Sequence, residues 1–84
     1  MDEDLRRRLQ RAGERVADAA ERIGETHERL ADQHEHHADI AEEIGQNVKD
    51  AHRSREQAQR LRAAAVHDRA IAEREHRLSR RLSR

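Results

Sequence analysis

Apolar residues step along this chain by three and four, with histidine standing in at three places. The series runs Leu5, Leu9, Ala12, Val16, Ala20, Ile23, His27, Leu30, His34, His37, Ala41, Ile44, Val48. A seven-residue hydrophobic repeat is the mark of helices that wind about one another in a left-handed supercoil. Residues 14–48 write one heptad phrase five times, as ERVADAA, ERIGETH, ERLADQH, EHHADIA and EEIGQNV. Within that run ADAAERIG and ADIAEEIG, three heptads apart, agree in six of eight places. This stretch is one helix repeat.

With Val16, Ile23, Leu30, His37 and Ile44 at position d, position a holds Ala20, His27, His34, Ala41 and Val48. A parallel two-stranded zipper carries charges at e and g. Here e holds Ala17, Gly24, Ala31, Ala38 and Gly45, and g holds Ala19, Thr26, Gln33, Ile40 and Asn47. An apolar or small face across a, d, e and g is wider than a dimer seam and suits a bundle of three or four helices. The small e column allows one neighbour to approach closely.

The first helix is expected over about residues 2–44. Asp2, Glu3 and Asp4 complement the positive end of its dipole and pair at i,i+4 with Arg6, Arg7 and Arg8. A break is expected somewhere in 45–55. Gly45 followed by Asn47 reads as a stop and a new N-cap, although Gly24-Glu25-Thr26 has a similar form. Ser54 and Gln57 make a capping box where the aliphatic stripe fails at Ala51, Arg55 and Ala58. The stripe resumes as Leu61, Ala64, Asp68, Ile71, Glu75, Leu78 and Leu82, so a second helix is expected over about 55–82.

Charge points the same way. Residues 1–52 carry fourteen acids and eight bases, net −6, and residues 53–84 carry four acids and ten arginines, net +6. Folding the second segment back antiparallel lays a basic helix along an acidic one. The expected fold is therefore all-α, an antiparallel helical hairpin or coiled coil forming a single domain. Two hairpins then complete a four-helix bundle. The alternative is one long uninterrupted helix in an antiparallel coiled-coil dimer, which satisfies the same charges.

Composition leads one to expect a partner surface. Charged residues make up 43% of the chain, and Phe, Tyr, Trp, Cys and Pro are all absent. That composition borders on the one typical of disorder, but the periodicity and the abundance of helix formers favour folding. Disulfides, thiolate metal sites and aromatic stacking platforms are excluded. Thirteen large aliphatics, each giving roughly 1.5–3 kcal/mol on full burial, make a thin core for a lone monomer. The residues expected to form the oligomer seam are Leu9, Val16, Ile23, Leu30, Ile40, Ile44, Val48, Leu61, Ile71 and Leu78.

His27, His34 and His37 fall on the a/d stripe. The simpler reading is a polar layer that sets register; the sharper one is a divalent site for zinc or nickel. If these imidazoles are half-buried and neutral, acidification through the range near pH 6 charges them and loosens the assembly. Glu73-x-x-His76 has the spacing of di-iron carboxylate bundles, but no second such motif occurs, so no di-iron centre is expected. Arginines at the C-terminal end, Arg77, Arg80, Arg81 and Arg84, are the candidates for nonspecific nucleic-acid contact. That reading is not favoured, because Asp68, Glu73 and Glu75 interrupt the basic run.

No nucleophile with its base, phosphate loop or signal peptide is visible, and no stretch reaches the length of a membrane span. The reading is a cytoplasmic, noncatalytic coiled-coil protein that self-associates and binds a further, unidentified protein. The alternatives are a histidine-mediated metal-binding bundle and a nucleic-acid-associated helix.

Overall fold

Ala, Glu, Arg and Leu lose least on entering a helix, and nothing here interrupts them until Gly45. The chain folds into two helices, α1 (Glu3–Glu43) and α2 (Val48–Leu82). A computed structural model describes residues 2–45 and 48–83. The hairpin, not the single uninterrupted helix, is the architecture. Its length is 64 Å, close to the roughly 62 Å that 41 residues span at 1.5 Å each. Neither helix, among the described residues, is long and apolar enough to cross a membrane.

Both ends of α1 are set locally. Asp2, extended at φ −60° and ψ 134°, accepts the backbone N–H of Asp4 on Oδ1 at 3.3 Å. Glu3 and Asp4 fill the first turn, where negative charge is favoured. At the far end the Ile44 N–H donates to the Ile40 carbonyl and the Gly45 N–H to the Glu42 carbonyl, both at 3.1 Å. Gly45 has φ +65°, a left-handed conformation that a side chain resists. Arg80 and Arg81 occupy the last turn of α2, against its negative end.

The second helix starts earlier than its sequence suggests. Ser54 and Gln57 lie inside α2, not at its beginning, and Asn47, the expected N-cap, is outside the described residues. The physical reason is in the packing. The aliphatic stripe fails at Ala51 and Ala58 because those residues are themselves the contact between the helices.

That contact is a column of small side chains. On α1 the buried residues are Ala17, Ala20, Gly24, Ala31 and Ala38, and on α2 they are Ala51, Ala58, Ala65, Ala72 and Ser79. All but Ala20 recur every seven residues, so each helix presents one narrow line to the other. This is the e column whose small size invited close approach. Subtracting two Cα radii of roughly 2.3 Å from the 13 Å width leaves the axes roughly 8 Å apart, at the short end for packed helices. Gly24 marks the closeness, since a methyl group there would stand 3.4 Å from Asp68 Cβ and 3.6 Å from the Ala65 carbonyl. Toward the open end Ser79 closes the column, its hydroxyl donating to the Gln10 carbonyl at 3.4 Å.

Candidate functional site

An alanine column a single residue wide leaves two flanks of the hairpin to be defined by the columns beside it. On one flank, Glu42, Glu35, Glu28 and Glu21 of α1 face Arg55, Arg62, Arg69 and His76 of α2, both series recurring every seven residues. Arg55 joins Glu42 and Asp39, and Arg62 joins Glu35 and Asp32. Each of these guanidiniums forks onto two acids three residues apart on α1, with the Asp contacts at 3.1 Å. Arg69 meets Glu28, and His76 Nε2 lies 2.8 Å from Glu21 Oε1. The result is a ladder of four rungs.

The ladder perturbs its members in the expected sense. The hydrogen bond from Arg62, joined by its charge, holds the Glu35 carboxyl below the usual carboxylate range, and Arg55 does the same to Glu42. The two guanidiniums are in turn held more firmly protonated by those carboxylates. These groups are open to solvent, so salt screens them and each contributes little alone. Their value is orientation, because a repeated opposite-sign ladder favours the antiparallel arrangement.

The other flank is aliphatic. Leu9, Val16, Ile23, Leu30 and Ile44 share one column of α1 with His37, and Ile71 and Leu78 share the matching column of α2. Leu61 and Leu82 lie beside the latter, nearer the seam. None is fully covered: Leu9 is 44% exposed, Val16 47%, Ile23 50%, Leu30 39% and Leu78 41%. No large side chain anywhere among the described residues is fully buried. At the open end Leu9, Ala12, Val16, Leu78 and Leu82 line a shallow groove of about 440 Å³.

Most residues expected to form an oligomer seam gather on this flank. Ile40 and Ile44 extend it toward the turn, both largely exposed. Val48, by contrast, belongs to the column of Arg55 on the ladder side. His27, His34 and His37 also lie on the aliphatic flank, but they do not converge. His27 Nδ1 sits 2.7 Å from Asp68 Oδ2, a half-buried pair that crosses the seam; His34 is half-buried and His37 exposed. His27 thus lies half-buried against a carboxylate of α2.

Among the described residues the one group of three metal-ligating side chains is Asp18, Glu21 and His76, on the ladder flank. Glu73, which shares the E-x-x-H spacing with His76, is exposed and outside this group. Arg77, Arg80 and Arg81 are exposed on the last turns of α2; Arg77 and Arg81 border one groove with Arg74 and Leu78, while Arg80 lies beside His76. Arg84 is outside the described residues.

Two features went unread in the sequence, and both had a signal there. Ala51, Ala58, Ala65, Ala72 and Ser79 recur every seven residues, as do Arg55, Arg62, Arg69 and His76. Searching for aliphatic repeats alone passes over both. Comparison with protein-family models, curated proteins and solved structures finds no match to this chain.

Proposed function

We propose that this chain is a noncatalytic helical-hairpin interaction module that associates with a second copy of itself through the aliphatic flank, two hairpins making a four-helix bundle. One observation carries the reading: most of the large aliphatics lie together on one flank, with Leu9, Val16, Ile23, Leu30 and Leu78 39–50% exposed, while the intramolecular contact is made mainly by alanine. Each of those side chains has about half of its roughly 1.5–3 kcal/mol burial free energy still to gain.

A second copy suits the flank in size and charge. A strip 64 Å long and 13 Å wide offers about 800 Å², the area each partner contributes to a standard stable interface. The formal net charge is zero, so two copies approach without net repulsion. A two-fold axis places the same patch on both sides, and an elongated aliphatic stripe is self-complementary under that operation. The ladder flank, with most of its charges already matched, stays outside.

Sedimentation equilibrium of the full chain tests this. The expected mass is twice the 9.8 kDa of one chain. Ile23→Asp combined with Leu78→Asp is expected to give a helical monomer, whereas Val66→Asp, also at an exposed aliphatic but in a column on the ladder side, leaves the dimer intact. A wild-type monomer at about 100 μM, far above the Kd of interfaces of this size, overturns the proposal. So does a dimer that survives the double substitution.

A further inference from the structure

The ion ladder changes its chemistry at the fourth rung. Counting from the turn, its cation is arginine at 55, 62 and 69 and histidine at 76. The first two rungs each set a forked guanidinium across a pair of acids three residues apart, Asp39 with Glu42 and Asp32 with Glu35. The same acid pair recurs at the fourth rung as Asp18 and Glu21. There, however, an imidazole offers a single ring nitrogen, and His76 Nε2 is 2.8 Å from Glu21 Oε1. Two carboxylates thus share a rung that lacks a permanent positive charge.

One ligand atom from each of Asp18, Glu21 and His76 lies within 4.8 Å of the other two. We infer that this rung is a binding site for a divalent transition-metal ion of the zinc type, held by a carboxylate oxygen from Asp18, one from Glu21 and the Nε2 of His76. Tetrahedral zinc, with bonds of about 2.0–2.2 Å, sets its ligand atoms roughly 3.3–3.6 Å apart. Closing from 4.8 Å therefore takes at most about 1.2–1.5 Å, which rotation of the exposed Asp18 and Glu21 carboxylates supplies.

Ligand type narrows the ion. An imidazole donor with two carboxylates suits zinc, nickel or copper, whereas calcium and magnesium take oxygen-only sets. The remaining coordination position falls to water, which reaches the site because Asp18 and Glu21 are exposed. The ion supplies the positive charge that arginine supplies at the other rungs. Because Glu21 and His76 are 55 residues apart in the chain, it also ties α1 to α2 near the open end.

The site differs from one built on His27, His34 and His37, and its residues lie on the flank opposite the aliphatic stripe. It therefore stands whether or not the chain dimerises. Titration calorimetry of the full chain with zinc chloride alone, at pH 7.5, is expected to show one zinc per chain. His76→Arg turns the fourth rung into a copy of the others, so it is expected to keep full helical circular dichroism while losing about tenfold or more in zinc affinity. Glu21→Gln acts in the same direction. His34→Gln with His37→Gln leaves affinity unchanged, and excess magnesium fails to compete. Three results overturn the assignment: no zinc uptake by the wild type, wild-type affinity in His76→Arg, or loss of binding in the His34 and His37 double variant.

Discussion

The two glycines nearest the middle of the chain do opposite things, and substitution separates them. Gly24 lies mid-helix against Ala65 and Asp68, where an added methyl group meets ordinary van der Waals contact. Gly24→Ala is expected to stabilise the hairpin by about 0.5–1 kcal/mol, since glycine in a helix interior costs that much relative to alanine. Gly45 has open space around it but a positive φ. Gly45→Ala is expected to destabilise by about 1 kcal/mol, because the left-handed conformation carries that cost for a residue with Cβ. Urea denaturation of the two variants reads both signs in one experiment. The Gly45 role was legible in the sequence, as a stop before polar residues. The Gly24 role was legible only as smallness in a column, because a sequence cannot say which neighbour a small residue admits.

At the scale of the helices, the alanine column and the ion ladder make separable contributions. Ala31→Leu places an extra isopropyl group where the backbones nearly touch, so it is expected to cost about 1–3 kcal/mol or more, despite the greater hydrophobicity of leucine. The ladder is tested with acid. Glu35 and Glu42 have depressed pKa values in the folded chain, so the stability they contribute is fully present above the unfolded carboxylate value, about 4.3, and is lost as pH falls through the folded values. Between pH 5 and pH 3 the wild type is expected to lose more stability than Glu35→Gln with Glu42→Gln. Equal losses in urea midpoint would remove the ladder from the account.

The helices themselves were legible, because heptad spacing, acids in the first turn and the absence of proline all agree. What was not legible was which stripe α1 turns toward α2. Both the aliphatic stripe and the small column can pack against a helix, and only the turn decides. The same holds for the ladder, whose partners are between 13 and 55 residues apart. Those separations become known once the position of the fold-back is known.

For the whole molecule, shape distinguishes the arrangements open to a chain of this length. Two hairpins joined along their flanks double the mass without lengthening the particle. Small-angle scattering is therefore expected to show a maximum dimension close to the 64 Å of one hairpin with side chains added. Two chains extended through the turn instead approach about 120 Å at 1.5 Å per residue. The repeat that builds the hairpin bears directly on this choice. With alanine or glycine at nearly every seventh position on both sides, and arginine opposite glutamate at three successive rungs, sliding α2 by one heptad returns mostly the same kinds of contact. Most of the interface thus carries phase but no address. The address comes from the positions that break the repeat: the turn at Gly45, the His27–Asp68 pair, which a slip of seven would set against Leu61 or Glu75, and, toward the open end, His76 at the fourth rung and Ser79 on the Gln10 carbonyl. A chain straightened at its turn has equally good contacts waiting on another straightened chain. The fold-back is in this sense a molecular choice between pairing with itself and exchanging arms with a neighbour.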